Sequence, residues 1–165
     1  MKRFCFQRWP VLIFLLSVAS FTGACSSGRD SPEAQVRALL AQGEAAAEKK
    51  ESAVLRQMIS GKYSDSQGQD KKAVEAMLRF YFLRNQSIHL FTRIRQIGFP
   101  QPDLARADVM VAMAGQPISD AEELERLRAD LHRFEITFAR ESGEWKVRRA
   151  EWRRAEFADF LRDGV

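Results

Sequence analysis

Two histidines, His89 and His132, are the side chains of this sequence whose charge changes closest to neutral pH. His132 lies in a segment of alternating residues and shares one face of it with Phe134 and Phe138. A histidine on an apolar strand face that points into a pocket can act as a general acid or base. The alternative is an ordinary hydrogen-bonded histidine at the end of a sheet. For His89, which shares a face with arginines, a surface position is favoured.

Metal and nucleotide chemistry lack their usual signatures. The two histidines are far apart and show neither the His-x-x-x-His nor the Glu-x-x-His spacing of metal sites. No glycine-rich phosphate loop and no Gly-x-Ser-x-Gly nucleophile elbow occurs. Asp65, Gly68 and Asp70 match part of a calcium loop, but the bidentate Glu is missing at the expected offset. We therefore expect no cofactor and no bound metal ion.

The first 24 residues have the pattern of an export signal. A basic stretch precedes the apolar run 11–21 (VLIFLLSVASF), which is too short to span a membrane. Residues 22–25 (TGAC) follow and resemble the bacterial lipobox, whose cysteine is acylated and becomes the first mature residue. The resemblance predicts a signal peptide at 1–24 and a lipidated Cys25 that begins a flexible tether, 25–31. The alternative is an ordinary signal cut after Ala24, which would leave Cys25 as a free thiol.

The lipobox resemblance also predicts where the protein works. A lipidated Cys25 would hold the chain to a membrane of the bacterial cell envelope. Ser26 directly after the cysteine is similar to outer-membrane sorting signals, which implies a periplasm-facing position if the host is Gram-negative.

Net charge argues against a nucleic-acid partner. The whole chain has a formal charge of +4, but three of its cations and no acidic residue lie in residues 1–24. Subtracting those three leaves +1 from Cys25 onward. A domain so close to neutral lacks the electrostatic footprint that binds a polyanion.

Helical periodicity dominates the chain up to about residue 84. Ser31 followed by Pro32 is typical of a helix start, and the first helix is expected to run to about Lys50. A bend near Lys49 and Lys50 separates it from a second helix over 51–59. Asp70 is expected to cap a third helix from Lys71 to about Arg84.

Alternation of apolar and polar residues then predicts four strands, over 87–97, 104–114, 130–141 and 145–154. A slip in the apolar phase indicates a bulge near Arg148 and Arg149. Residues 120–128 are expected to form a helical turn or a long loop. Helices followed by strands predict an α+β fold, with the N-terminal helices packed on a curved, mainly antiparallel sheet of four or more strands. The domain is expected over 32–155, with a C-terminal tail at 156–165.

The order of elements resembles the nuclear transport factor 2-like (NTF2-like, SnoaL-like) superfamily over about residues 33–154. An Ala/Glu-rich first helix, the segment 59–68 (ISGKYSDSQG) and a closing hairpin at 142–147 (SGEWKV) that leads to Trp152 carry the resemblance. It implies a cone in which the sheet wraps around helices and leaves a cavity at the wide end. Members of the superfamily include isomerases, dehydratases, hydrolases and non-catalytic binding modules, so the fold does not decide the function.

The resemblance also supplies candidate catalytic residues. Enzymes of this superfamily often pair a cavity carboxylate, which abstracts a proton, with a Tyr or His that stabilises the developing oxyanion. The groups that would do so here are Tyr63, Asp65, Tyr81, Asp108 and His132. In the competing interpretation, Tyr63 and Asp65 organise the loop before the third helix. Asp108 then faces solvent among charged neighbours.

The sequence is compatible with three functions. The leading one is a membrane-anchored, non-catalytic lipoprotein that binds a small apolar ligand in the cone or a protein partner, with a homodimer through the sheet as a further expectation. The second is a small-molecule enzyme that uses a cavity carboxylate with Tyr or His. The third is a structural subunit of an envelope assembly. The convergence of Asp, Tyr and His on a deep pocket would favour the enzyme.

Overall fold

The computed structural model describes residues 31–161 of the chain. The predicted signal peptide, the lipidation site Cys25 and nearly all of the tether lie outside the described residues. So do residues 162–165 of the predicted tail.

Three helices open the described chain. Helix α1 spans Pro32–Glu48, α2 spans Ser52–Met58 and α3 spans Lys71–Arg84. Ser31 caps α1 by accepting a hydrogen bond from the backbone N–H of Ala34 at 3.1 Å, and Asp70 caps α3 in the same way. The predicted bend between the first two helices is confirmed at Lys50, whose φ of 56° places it in the left-handed region.

Four antiparallel strands follow in the order β1-β2-β3-β4. They span His89–Gln101, Leu104–Ala114, Asp130–Glu141 and Glu144–Arg154, with the short helix α4 (Glu123–Arg126) between β2 and β3 and α5 (Phe157–Leu161) at the end. The fold class predicted from the sequence is confirmed.

Two local features of the sheet can be compared with the predictions from the sequence: the bulge in β4 and the end of β1. The bulge is confirmed, because Thr137 pairs with Arg149 and Phe138 with Val147, which leaves Arg148 as an extra residue. The expected end of the first strand near Gly98 is wrong, since β1 continues through Pro100 to Gln101. β1 is an edge strand with one neighbour, where a proline without an N–H is tolerated.

Both faces of the sheet are covered in its middle. The inner face, toward α1, α2 and α3, contributes Val109 and Phe138 to a cluster that includes Val36 of α1. The outer face is covered around Met110 and Ala112, which cluster with side chains from the α4 region and α5 (Ala121, Leu124 and Phe160). The apolar run at the end of β2 is therefore explained by burial on both faces. Phe160 is fully buried, so α5 takes part in the packed structure.

Candidate functional site

A cavity of about 480 Å³ lies between the inner face of the sheet and the three N-terminal helices. Every helix from α1 to α3 and every strand contributes to its wall. Most of the wall is aliphatic or aromatic: Leu39 and Leu40 from α1, Leu78 and Phe82 from α3, Val109 from β2 and Phe134 from β3 are examples. Its volume falls within the roughly 300–1,000 Å³ of typical small-molecule pockets.

The strand register orders the inner wall into rows that run across the sheet. One row joins Ile94, Val109, Phe134 and Trp152, and its only polar group is the indole N–H of Trp152. The next row joins Thr92, Val111, His132 and Arg154, near the start of β1 and β3 and the end of β2 and β4. We call this end of the cavity, with the C-terminal parts of α1 and α3 above it, the mouth.

Exposure along the sheet wall of the cavity is uneven. Val109 and Phe138 are only 2% and 1% exposed, whereas Val111 and His132 in the mouth row, and Phe134 and Ile136 away from it, are partly exposed. The most enclosed part of the sheet wall is therefore apolar.

His132 is on the inner face and lines the cavity, as its strand phase predicts. Its Nδ1 atom is buried without a hydrogen-bond partner among the described residues. Burial lowers the pKa of His132, the charge of Asp130 opposes this shift, and that of Arg154 adds to it. The imidazole is consequently neutral at pH 7, and its ring lies 6.2 Å from that of Phe134.

Tyr81 reaches the mouth from α3. Its hydroxyl donates to the thioether sulfur of Met113 at 3.6 Å, a weak acceptor. Burial and then the charge of Asp130 raise the pKa of Tyr81, so the phenol stays protonated. Met113 pairs with Asp130 across the sheet, one row from His132, and Tyr81 and His132 therefore belong to the same corner of the mouth.

Glu44 is a cavity residue that the sequence reasoning missed. It lines the wall from α1, and its Oε2 accepts a hydrogen bond of 2.7 Å from the hydroxyl of Thr92. The helical spacing could have identified it: Glu44 follows Leu40 by four residues and precedes Ala47 by three, which puts it on the apolar face of the helix. Thr92 and His132 are two strands apart, about 10 Å at the usual strand spacing, so Glu44 and His132 form no hydrogen-bonded pair through this row.

Tyr63 and Asp65 serve the loop before α3. The Tyr63 hydroxyl lies 3.3 Å from the carbonyl oxygen of Ala150 and 3.4 Å from Oδ2 of Asp65. Burial, together with the nearby charge of Asp65, raises the pKa of Tyr63 to about 12. Oδ1 of Asp65 accepts from the backbone N–H groups of Gln67 and Gln69, each at 2.9 Å. Tyr63 lines the cavity with its ring, whereas Asp65 does not line it.

Asp108 is on the outer face, opposite the cavity. Its two carboxylate oxygens bind Nε and Nη2 of Arg133 at 2.8 and 2.5 Å, a bidentate ion pair. The residues proposed for a catalytic group are thus divided: Tyr63, Tyr81 and His132 line the cavity, and neither Asp65 nor Asp108 joins them there.

The described residues contain neither a metal cluster nor a membrane-spanning helix. Among residues 31–161, no three His, Cys, Asp or Glu side chains lie close enough together to hold a metal ion. Within that range, no helix has the length and apolar character needed to cross a membrane.

Solved structures share this arrangement of helices and sheet. An NTF-2 like protein of unknown function from Silicibacter pomeroyi DSS-3 superposes with a TM-score of 0.56 at 18% identity, over 74% of this chain and 95% of that one. The hexachlorocyclohexane dehydrochlorinase LinA-type3 from Novosphingobium barchaimii LL02 gives a TM-score of 0.59 at 13% identity, over 75% and 86%. Bd1075 from Bdellovibrio bacteriovorus gives 0.56 at 12% identity, over 73% of this chain but only 40% of its own length.

No protein-family model matches the sequence, and no curated protein matches it in sequence. The structural likeness at such low identity establishes the fold. The described domain is an α+β cone of the NTF2-like kind, with its cavity enclosed between the sheet and the helices.

Proposed function

We propose that the domain binds a small, largely apolar molecule in its cavity and does not transform it chemically. The observation that carries this proposal is the 480 Å³ space, whose walls are mainly apolar, with most of their polar side chains at the mouth. Water in such a space makes few hydrogen bonds, so an apolar molecule that replaces it gains contacts at little cost. The carboxylates Asp65 and Asp108, which an enzyme of the expected kind would use, lie elsewhere.

Co-purification tests this proposal. Organic extracts of the purified chain are analysed by mass spectrometry, and we expect a small molecule bound in near-stoichiometric amount. The double variant Val111→Phe/Ala150→Phe adds two rings to the cavity wall and should lose that molecule. Leu83→Phe adds a ring on the exposed side of α3, where Leu83 is 86% exposed, and should keep it. A molecule that is retained equally by all three chains would contradict binding in the cavity.

Anchoring to the cell envelope is the second part of the proposal. The apolar run 11–21 and the lipobox-like residues 22–25 support a lipid on Cys25, with the domain facing the periplasm from the outer membrane. Cells fed labelled palmitate should label the wild-type chain and a Cys5→Ala variant, but not Cys25→Ala. Label that persists in Cys25→Ala would overturn the anchor.

An enzyme remains the second candidate because Glu44 gives the cavity a carboxylate in the region of Tyr81 and His132. One structural neighbour is a dehydrochlorinase, so this fold can hold such chemistry. In that case the co-purified molecule would be converted over time by the wild-type chain, and Glu44→Gln would stop the conversion while retaining the molecule. Recovery of the molecule unchanged after prolonged incubation favours the carrier.

The interaction roles stay predictions. The outer face near Met110 and Ala112 is already covered by Leu124 and Phe160, so a homodimer through the sheet would use the more polar surface around Asp108 and Arg133. A structural subunit of an envelope assembly is supported only if crosslinking recovers one specific envelope protein and no small molecule co-purifies.

A further inference from the structure

The hydrogen-bonding groups of the cavity are unevenly distributed. The rows that hold Val109 and Phe138 contain hydrocarbon side chains on the inner face, apart from Trp152, which carries an indole N–H. Glu44, Thr92, Tyr81 and His132 all lie toward the mouth. A molecule that fills the cavity therefore meets a mainly apolar interior and a more polar end.

Some of these polar groups are already satisfied by the protein. The Thr92 hydroxyl donates to Glu44 at 2.7 Å, and the Tyr63 hydroxyl, deeper in the cavity, lies between two protein oxygens. Buried groups that have protein partners gain little from a ligand and lose their bonds if the ligand displaces them.

Tyr81 and His132 are not satisfied in this way. A thioether sulfur is the only acceptor of the Tyr81 hydroxyl in the described structure, and an oxygen would be a much stronger one. Nδ1 of His132 is enclosed without a partner, and no described residue bonds to Nε2, which is the nitrogen that we expect a bound molecule to use. Because nothing bonded to Nδ1 fixes the proton, Nε2 can either donate or accept.

We infer that the ligand is an uncharged, mainly apolar molecule with one hydroxyl or carbonyl oxygen, which binds at the corner formed by Tyr81 and His132. This inference rests on the proposed ligand-binding function and adds the class of ligand. Tyr81 donates to the oxygen, and Nε2 of His132 completes its hydrogen bonding.

An ionised ligand would lose its hydration on entry into the cavity. A carboxylate would in addition be placed near the negative charges of Glu44 and Asp130. An ammonium group would lose its hydration as well, which a neutral ligand of the same shape avoids. Arg154 lies 3.6 Å from Asp130 and offsets part of that negative charge at the rim.

A set of probes with one ring system tests this inference. Naphthalene, 2-naphthol, 2-naphthoate and 2-naphthylmethylamine share their apolar body and differ in the polar group. The full chain, extracted in mild detergent and held in amphipol, is labelled with ¹³C in its methionine methyls. The Met113 methyl beside Tyr81 then reports the apparent Kd of each probe. Uptake of a probe by the amphipol is the same for all variants and cancels when they are compared.

The deciding quantity is the Kd of naphthalene divided by that of 2-naphthol. We expect Tyr81→Phe and His132→Phe each to lower this ratio by about threefold to tenfold, the value of one hydrogen bond, with naphthalene binding retained. Tyr63→Phe is the matched control, because it removes a hydroxyl that the protein already satisfies, and it should leave the ratio unchanged. The wild-type chain should bind 2-naphthoate and the amine at least about tenfold more weakly than 2-naphthol, after each Kd is corrected for the uptake of that probe by amphipol alone.

Two contrary results have different meanings. If naphthalene binds but the ratio is the same in all variants, or if either charged probe binds more tightly than 2-naphthol, the inferred ligand class is wrong and the apolar pocket stands. If none of the four probes binds, the proposed function itself fails.

Discussion

Val111 and Ala112 are adjacent in β2 but face opposite environments. Val111 lines the cavity, whereas Ala112 is fully buried in the cluster with Leu124 and Phe160. One residue of chain therefore separates open space from close packing, and the two positions should respond to added volume in opposite ways.

Val111→Phe should leave the free energy of unfolding within about 0.5 kcal/mol of wild type, because the ring enters the cavity. Ala112→Val adds fewer atoms but should cost about 1–3 kcal/mol, since it overpacks a filled site. Urea unfolding of the two variants measures both values. Equal destabilisation by the two substitutions would mean that the inner face has no free space at Val111.

The neutral state of His132 should appear in the pH dependence of stability. Burial lowers the pKa of His132 below its ordinary 6.5, so the unfolded chain takes up a proton first as the pH falls. Its contribution to stability is complete above about pH 6.5 and is lost as the pH falls toward the folded-state pKa. In urea unfolding, the free energy of unfolding should fall less between about pH 7.5 and about pH 5.5 for His132→Phe than for wild type. His89→Gln serves as control. If its free energy of unfolding falls between these two pH values by as little as that of His132→Phe, the effect comes from the number of histidines and not from the burial of His132.

Asp108 should matter for stability and not for ligand binding. Its ion pair with Arg133 is bidentate and partly buried, so Asp108→Asn is expected to cost about 1 kcal/mol. A double-mutant cycle with Arg133→Gln isolates the pair. The affinity for naphthalene should be unchanged, because the pair is on the outer face. A large loss of affinity in Asp108→Asn would contradict that placement.

Asp65 should be needed for the loop that precedes α3. Asp65→Ala leaves the N–H groups of Gln67 and Gln69 without their acceptor, at a cost of about 1–3 kcal/mol. Asp65→Asn keeps one acceptor oxygen and should recover part of the loss. Thermal unfolding compares the wild type with the two variants. If either variant, once folded, binds ligand as tightly as the wild type does, the role of Asp65 is structural and not chemical. Loss of binding in a stably folded Asp65→Asn would indicate that the carboxylate acts in the cavity.

Strand phase and helix capping could be predicted because they depend on neighbouring residues. The bulge at Arg148, the cap at Asp70 and the inward direction of His132 all follow from local pattern. The first strand was predicted to end at residue 97, whereas β1 runs through Pro100 to Gln101. A proline is tolerated there because β1 is an edge strand, and an edge strand is defined by its missing neighbour, which no local pattern contains. The cavity was expected only by resemblance, because the gap between helices and sheet depends on tertiary packing. Glu44 was overlooked for the same reason: a carboxylate on an apolar helix face becomes significant only when that face borders open space.

The most direct test of the cavity as a binding site is a methyl NMR titration of the full chain with naphthalene. Met58, Met77 and Met113 line the cavity from two helices and one strand, while Met110 is fully buried on the outer face and serves as an internal control. We predict saturable shifts of the first three methyls with a common Kd and no comparable shift of Met110. Shifts of all four methyls alike, or saturation without any change at Met113, would contradict the account.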